Sequence, residues 1–194
     1  DLDLVAIGTV ADIVPLVGDN RILVALGLKS INTSPRIGIR ALAEVSGLDY
    51  RKIKSQNIAF GIAPRLNAAG RMGSALDAFN LLVSDDPKYA STMANKLDKA
   101  NRNRQEQESK ILKEAKECVE AHLTGQDRII ILDDRNWHAG IIGIAASKLV
   151  EIYRRPVILL TNVRDDLYTG SARSIDGFDI YRALCTTDHI LEKF

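Results

Sequence analysis

Residues 87–122 read PKYASTMANKLDKANRNRQEQESKILKEAKECVEAH, a run with neither Gly nor Pro after its first position. Asp85 and Asp86 supply N-cap chemistry, and Pro87 suits a first helical residue. Tyr89, Met93, Leu97 and Ala100 recur at helical spacing, as do Ile111, Ala115 and Val119. Between these two apolar stripes lies Asn101 to Lys110, polar on every face. A helix that is polar all round bridges domains through solvent. The pattern therefore predicts a connecting helix of about 50 Å over residues 86–124, with a domain on either side. Arg102, Arg104 and Lys110 read as residues that solvate this strut.

The segment before it, residues 1–85, reads as mostly helical. Leu2 to Ile7 alternates and then runs apolar into Gly8-Thr9, the pattern of a buried strand end and a turn. Val10 to Val17 is apolar around a lone Asp12. Asp19-Asn20 offers an N-cap for a helix over Arg21–Ile31, with Leu23, Leu26 and Ile31 inward. Ile39–Val45 forms a second helix, ended by Gly47, and Arg51–Phe60 a third. Gly61 to Gly73 holds three glycines, a proline and two arginines, which predicts a loop of special shape. Ser74 or Asp77 opens a further helix through Leu82.

The segment after it, residues 125–194, changes character. Arg128–Leu132 and Val157–Thr161 are short apolar runs, read as buried strands. Leu167–Ile175 predicts a third strand. Ala139–Tyr153 is an apolar helix ended before Pro156, and Phe178–Leu191 returns to helix. Strand, helix, strand, strand, helix is the order of a small α/β domain. The class is α/β: a helical part, a long connecting helix and a small α/β domain.

Composition bounds the function. The 194 residues are 46% hydrophobic and 26% charged, which excludes a disordered chain. With 13 Gly and 5 Pro, a collagen-like or low-complexity chain is excluded too. The formal net charge is +1, so any sign of a polyanion partner must come from local clustering. Cys118 and Cys185 form no CxxC and no zinc spacing, which predicts a reduced, cytoplasmic protein. No apolar run approaches the roughly 20 residues of a membrane span, and no signal peptide is visible. The chain opens on Asp1-Leu2-Asp3 without Met and stops at Leu191-Glu192-Lys193-Phe194, and reads as part of something longer.

Four places hold residues suited to chemistry. Asp12 is an acid in an apolar stretch, costly to bury unless paired or metal-bound; it is either a metal-ligand carboxylate or an N-cap or exposed turn residue. Arg65, Asn67 and Arg71 flank small residues that let backbone N–H groups reach an anion, while guanidinium forks match phosphate oxygens. The same arginines equally suit a structural role, tying down carbonyls. Residues 29–71 carry eight basic side chains (Lys29, Arg36, Arg40, Arg51, Lys52, Lys54, Arg65, Arg71) against Glu44 and Asp49, an excess that steers polyanions or merely solvates a face. Asn136 to Gly140 follows a strand and opens a helix, a ready anion site. There Trp137 has a ring able to stack on bases, and His138 either bonds a phosphate or caps the helix. Ser171 and Arg173, at period-2 spacing, share one face of a strand, which suits a terminal phosphate or simply faces solvent. No nucleotide-binding Gly loop, GxSxG or HExxH is present.

Four stretches, AIGTVADIVPL (6–16), GIAPRLNAAGRM (61–72), WHAGIIGIAAS (137–147) and GSARS (170–174), resemble in order and spacing the RecJ family of bacterial single-strand-specific exonucleases. That family belongs to the DHH phosphoesterase superfamily. The resemblance covers essentially the whole chain, and it implies metal-dependent 5′→3′ digestion of single-stranded DNA in repair and recombination. It implies the C-terminal part of a DHH domain over 1–85, the connecting helix over 86–124 and a DHHA1-like domain over 125–194. By resemblance, Asp12 matches a metal-ligand Asp, for Mn²⁺ or Mg²⁺. Ser171 and Arg173 match a pair holding the 5′-terminal phosphate. Arg65, Asn67 and Arg71 match a basic loop near the scissile strand, and His138 is matched without a role. Single-stranded DNA, and a single-strand-binding protein, are the implied partners. The family's Asp-His-His triplet, its earlier acid motifs and its Gly-Gly-His motif have no counterpart in these residues. Two-metal hydrolysis needs ligands for two ions, which Asp12 alone cannot supply, so the chain by itself is expected to be inactive. A DHH-type phosphoesterase for short oligonucleotides or small phosphodiesters, and a catalytically silent nucleic-acid-binding module, are the alternatives.

Overall fold

The computed structural model describes residues 1–194 except Leu123, Gly125, Asp165, Asp166 and Phe194, and only the backbone of Asp188. Gly125 and Phe194, the limits expected for the second domain, thus lie outside the described residues. The chain divides into two compact units, Asp1–Arg104 and Gln105–Phe194. The helix Pro87–His122 (α7) crosses that division. Among the described residues no helix is long and apolar enough to cross a membrane.

The first unit is helical throughout. Its elements are α1 (Leu2–Ala11), α2 (Gly18–Thr33), α3 (Ile37–Val45), a 3₁₀ turn (Tyr50–Lys52) and α4 (Ser55–Asn57). A π-helix (Ile58–Ile62), α5 (Ala63–Met72), α6 (Ala75–Val83) and the start of α7 complete it. The strand expected at Leu2–Ile7 is instead the body of α1. Its buried residues are Asp3, Ala6, Ile7 and Val10, spaced three, four and seven apart, the signature of one helix face. A short apolar run is ambiguous between strand and helix, and packing decides it. In α2, Val24, Gly27 and Ile31 are buried, whereas Leu26 faces outward, 46% exposed. The helix begins at Gly18 rather than Arg21, and its inward stripe runs through positions three, four and seven apart, off which Leu26 lies.

The expected loop over Gly61–Gly73 is also helical, as is most of the stretch before it, in pieces. Pro64 lacks an N–H and its ring clashes with a preceding carbonyl in a regular helix interior. Here the wider π turn precedes it, and Pro64 falls in the first turn of α5, where neither defect matters. Ala63 N–H reaches back five residues to Ile58 O. Helix α3 closes as expected around Gly47 (φ +68), with Leu48 N–H bonded to Ala43 O. Ser74 caps α6 by accepting from Leu76 N–H at 3.2 Å, and Asp86 caps α7 by accepting from Lys88 N–H at 2.8 Å. The polar middle of α7 is not wholly solvated: Asn101 and Glu108 are buried, as is Asp98 just before it.

The second unit is a three-stranded sheet with one large helix. Its elements are the rest of α7, β1 (Ile130–Asp133), α8 (Ala139–Tyr153), β2 (Val157–Arg164), β3 (Leu167–Arg173), α9 (Ile180–Cys185) and a 3₁₀ turn (Asp188–Ile190). The helix expected over Phe178–Leu191 is therefore two short pieces. Strand order is β1-β2-β3. β1 and β2 are parallel, joined by α8 as a crossover, and β2 pairs antiparallel with β3. Val157 faces Arg173 and Leu159 faces Ser171 across the ladder, so these four side chains share one side of the sheet. Ile141, Ile142, Ala145, Ala146 and Leu149 of α8 are buried with Ile130, Val157 and Leu159. Arg154, in the left-handed region at φ +53, ends α8 two residues before Pro156.

Close helix contact in the first unit depends on missing side chains. A Cβ on Gly27 would lie 2.2 Å from Leu2 O and 2.5 Å from Ala6 Cβ. A Cβ on Gly8, in the same helix pair, would meet nothing within 4 Å. Gly27→Ala is therefore expected to lose about 1–3 kcal/mol through overpacking. Gly8→Ala is expected to hold or gain up to about 1 kcal/mol from helix propensity. Urea midpoints of the two variants check this; equal midpoints would contradict it.

Candidate functional site

Asp12 stands immediately after α1, exposed, with its N–H bonded to Gly8 O at 3.0 Å. Two local choices there run against stability. A carboxylate at a helix C-terminus meets the negative end of the dipole, a cost of about 0.3–1 kcal/mol. The next residue, Ile13, takes φ +56, which costs a β-branched side chain about 1–2 kcal/mol. Ile13 is also 88% exposed, so core packing does not compensate it. The turn nonetheless closes α1 in an ordinary way, Val14 N–H bonding back across Ile13 to Thr9 O at 3.2 Å. Among the described residues no three of His, Cys, Asp and Glu come together as a metal-binding group. The donors present therefore do not by themselves fit a two-metal centre.

Helix α5 separates the basic residues of its segment. Arg65 turns inward: its Nε donates to Asp98 Oδ1 at 2.9 Å, and its Nη1 to Gly61 O at 2.7 Å. Asp98 Oδ2 also accepts from Arg102 Nε at 2.9 Å. The arginine thus satisfies a buried acid and a carbonyl of the π turn. Asn67 and Arg71, four residues apart, lie on an exposed face of α5. The wider basic excess is likewise partly internal, since Arg36 Nε donates to buried Asp3 at 2.8 Å. Arg40 and Arg51 both stack on the Tyr50 ring, 5.4 Å from its centroid. The Tyr50 hydroxyl, accepting from Arg51, raises that guanidinium's pKa.

Trp137 and His138 are committed to the second unit's framework. Trp137 is buried; its Nε1 donates to Glu114 Oε2 at 2.9 Å, and its carbonyl accepts from Thr161 Oγ1 at 2.7 Å. The expectation that this ring is available to stack on bases is corrected: its faces are packed in the core. His138 is the N-cap of α8, its Nδ1 accepting from Gly140 N–H at 3.1 Å.

Ser171 and Arg173 are brought together, against α8. Arg173 Nη1 donates to Ser171 Oγ at 3.2 Å and to Ala172 O at 2.7 Å, and Nε donates to Ser147 Oγ at 3.0 Å. Beside them a Cβ on Gly143 would lie 2.9 Å from Ser171 Oγ and 3.0 Å from Arg173 Nη2. Gly143 and Ser147 belong to the 137–147 stretch, but their part in this cluster was not read from sequence. The available signal was their four-residue spacing, which puts small side chains on one helix face.

Comparison with known proteins bears on this arrangement. Residues 126–191 match the DHHA1 domain family. The chain is 40% identical over 194 residues to the single-stranded-DNA-specific exonuclease RecJ of Bacillus subtilis, covering 100% of this chain and 25% of that protein. It is 40% identical over 187 residues to its Escherichia coli counterpart, covering 94% of this chain and 32% of that protein. The fold superposes on the crystal structure of RecJ in complex with Mg²⁺ from Thermus thermophilus. That match has a TM-score of 0.86 at 36% identity, over 99% of this chain and 29% of that one. A crystal structure of exonuclease RecJ bound to manganese matches with a TM-score of 0.85 at 36% identity, over 99% of this chain and 47% of that one.

Over its whole length the chain is homologous to the RecJ proteins, and its residues 126–191 match the DHHA1 domain. It spans about a quarter to a third of the length of the curated RecJ proteins it matches. Its mixed, helix-rich α/β fold, with a long helix and a small sheet, is that of the RecJ structures. Within this framework Asp98 carries much of the local order around Arg65. Asp98→Ala is expected to lower stability by about 2–3 kcal/mol, the worth of hydrogen bonds to a charged group plus the penalty on the abandoned guanidinium. Arg102→Ala, on the exposed side of the same acid, is expected to cost under about 1 kcal/mol. Denaturant titration of the two variants distinguishes these values.

Proposed function

We propose that the chain is part of the catalytic core of a metal-dependent exonuclease that digests single-stranded DNA 5′→3′ in cytoplasmic repair and recombination. Residues 1–85 are the C-terminal part of its DHH domain, 86–124 its connecting helix and 125–194 its DHHA1-like domain. The observation that supports this most is the Ser171–Arg173 pair. Arg173 uses Nε and Nη1 internally, while Nη2 has no protein partner among the described residues. Ser171 Oγ accepts from Arg173, so its own O–H is directed elsewhere. One N–H₂ group and one hydroxyl, side by side on a strand, suit the oxygens of a terminal phosphate. That grip, on the end of a strand, is what an exonuclease of set polarity requires.

The remaining residues fall into supporting roles. Asn67 and Arg71, outward on α5, meet the sugar-phosphate backbone. Arg65 holds the helix that presents them. His138 fixes the start of α8, behind the phosphate grip. Asp12 contributes one carboxylate to a site for Mn²⁺ or Mg²⁺, the ions named for the matched RecJ structures. The other ligands come from the part of the protein that its longer relatives contain and these residues do not.

In the full-length protein, Asp12→Ala is expected to reduce hydrolysis of a long single strand by at least about 10³-fold, the scale of losing a transition-state contact. Strand binding should persist within about threefold, a change of some 0.6 kcal/mol. Near-normal turnover would remove Asp12 from the metal site. Equal hydrolysis of a dinucleotide and a long strand would favour a small-substrate phosphoesterase instead. The 194 residues alone are expected to show no hydrolysis with either ion; measurable release of mononucleotides would overturn the need for further ligands.

A further inference from the structure

The phosphate grip has a second layer, on the helix beneath it. We infer that Gly143 and Ser147 of α8 are positioning residues that set how Ser171 and Arg173 meet a 5′-phosphate. This rests on the reading of those two residues as the phosphate grip.

The argument is one of donors and space. Ser147 Oγ lies 3.0 Å from Arg173 Nε and 3.1 Å from Gly143 O. A guanidinium only donates and a carbonyl only accepts, so the Ser147 hydroxyl accepts from Arg173 and donates to Gly143. Its single proton is committed, and the arginine is held at its inner nitrogen. Ser171 Oγ and Ala172 O hold Nη1. Three of five N–H groups are therefore fixed by the protein, and the plane of the guanidinium with them. Among the described residues only Nη2 is left to meet a ligand, and it lies beside Gly143 of α8.

Gly143 supplies the room. Its missing Cβ would stand 2.9 Å from Ser171 Oγ and 3.0 Å from Arg173 Nη2, the two atoms assigned to the phosphate. Both are ends of flexible side chains, so Ala at 143 is accommodated by pushing them aside rather than by unfolding. A glycine inside a helix is unfavourable relative to Ala. Here the cost accompanies clearance for the two ligand-facing atoms.

The test uses the full-length protein with divalent ions chelated by EDTA, so that strands bind without being cut. The readout is the ratio of Kd for a 5′-hydroxyl oligodeoxynucleotide to that for the same strand with a 5′-phosphate. Arg173→Ala should bring the ratio near one. Gly143→Ala and Ser147→Ala should each lower it, Gly143→Ala by about tenfold, the scale of one charge-assisted hydrogen bond. Binding of the 5′-hydroxyl strand should be unchanged, and the thermal midpoint of Gly143→Ala equal to or above that of the parent. A parent-like ratio in Gly143→Ala or Ser147→Ala, with Arg173→Ala flat, overturns the positioning role of that residue and leaves the phosphate grip standing. A parent-like ratio in Arg173→Ala removes the grip itself. A fall in affinity for both strands together, with a lower midpoint, assigns the residue to folding alone and also overturns the inference.

Discussion

Close approach of backbone to its neighbours, at positions where no Cβ fits, is the constraint on which the rest depends. Gly27 lets α1 lie on α2, and Gly38 lets α3 lie under α6, where a Cβ would come 2.1 Å from Leu81 O. Gly143 lets Ser171 and Arg173 lie on α8. In the first two cases the obstacle is backbone, which cannot yield, so the glycine serves the fold. In the third it is the tips of two polar side chains, which can yield, so the glycine serves their placement. The same residue type thus does different work according to what stands opposite it.

Charge is organised by a second constraint. The acids Asp3, Asp98 and Glu108 are buried, and each meets a cation within its own unit: Arg36, Arg65 with Arg102, and Lys148 respectively. A buried carboxylate without a partner would be costly, so these pairings remove arginines from the surface excess that composition suggests. Arg65 is the clearest instance. Its sequence neighbours Asn67 and Arg71 face outward, yet helical geometry turns Arg65 toward Asp98. A cluster counted along the chain is divided by the helix that carries it.

Where reading from sequence failed, it failed at ambiguous periods. Leu2–Ile7 satisfies a strand pattern over six residues, but extending the count to Val10 reveals a helical face. Gly61–Gly73 is rich in residues that usually break helices. The breakers here occupy tolerated positions: Pro64 in a first turn, Gly61 in a π turn, and Gly73 just past the end of α5. The second unit was more legible. Ala139–Tyr153 has the bounds expected of it, and the β-branched run beginning at Arg128 holds β1, because long apolar helices and short buried strands differ in length as well as period. Trp137 was legible as a residue of consequence but not as a core residue, since a single aromatic carries no period.

By itself, the sequence determined the class of the chain, the α7 helix, the strand-helix-strand-strand order of the second unit and the likeness to RecJ proteins. These follow from local periods, capping residues and motif order, which are properties of neighbours along the chain. Tertiary structure alone decided which polar residues are held and which are presented. Arg65 against Asp98, Trp137 against Glu114, and Arg173 against Ser147 are separated by 33, 23 and 26 residues. The partner of a guanidinium or an indole N–H is set by whichever distant acceptor the packing brings within about 3 Å. No local pattern encodes that distance, so the free Nη2 of Arg173 became visible only when its other nitrogens had been assigned.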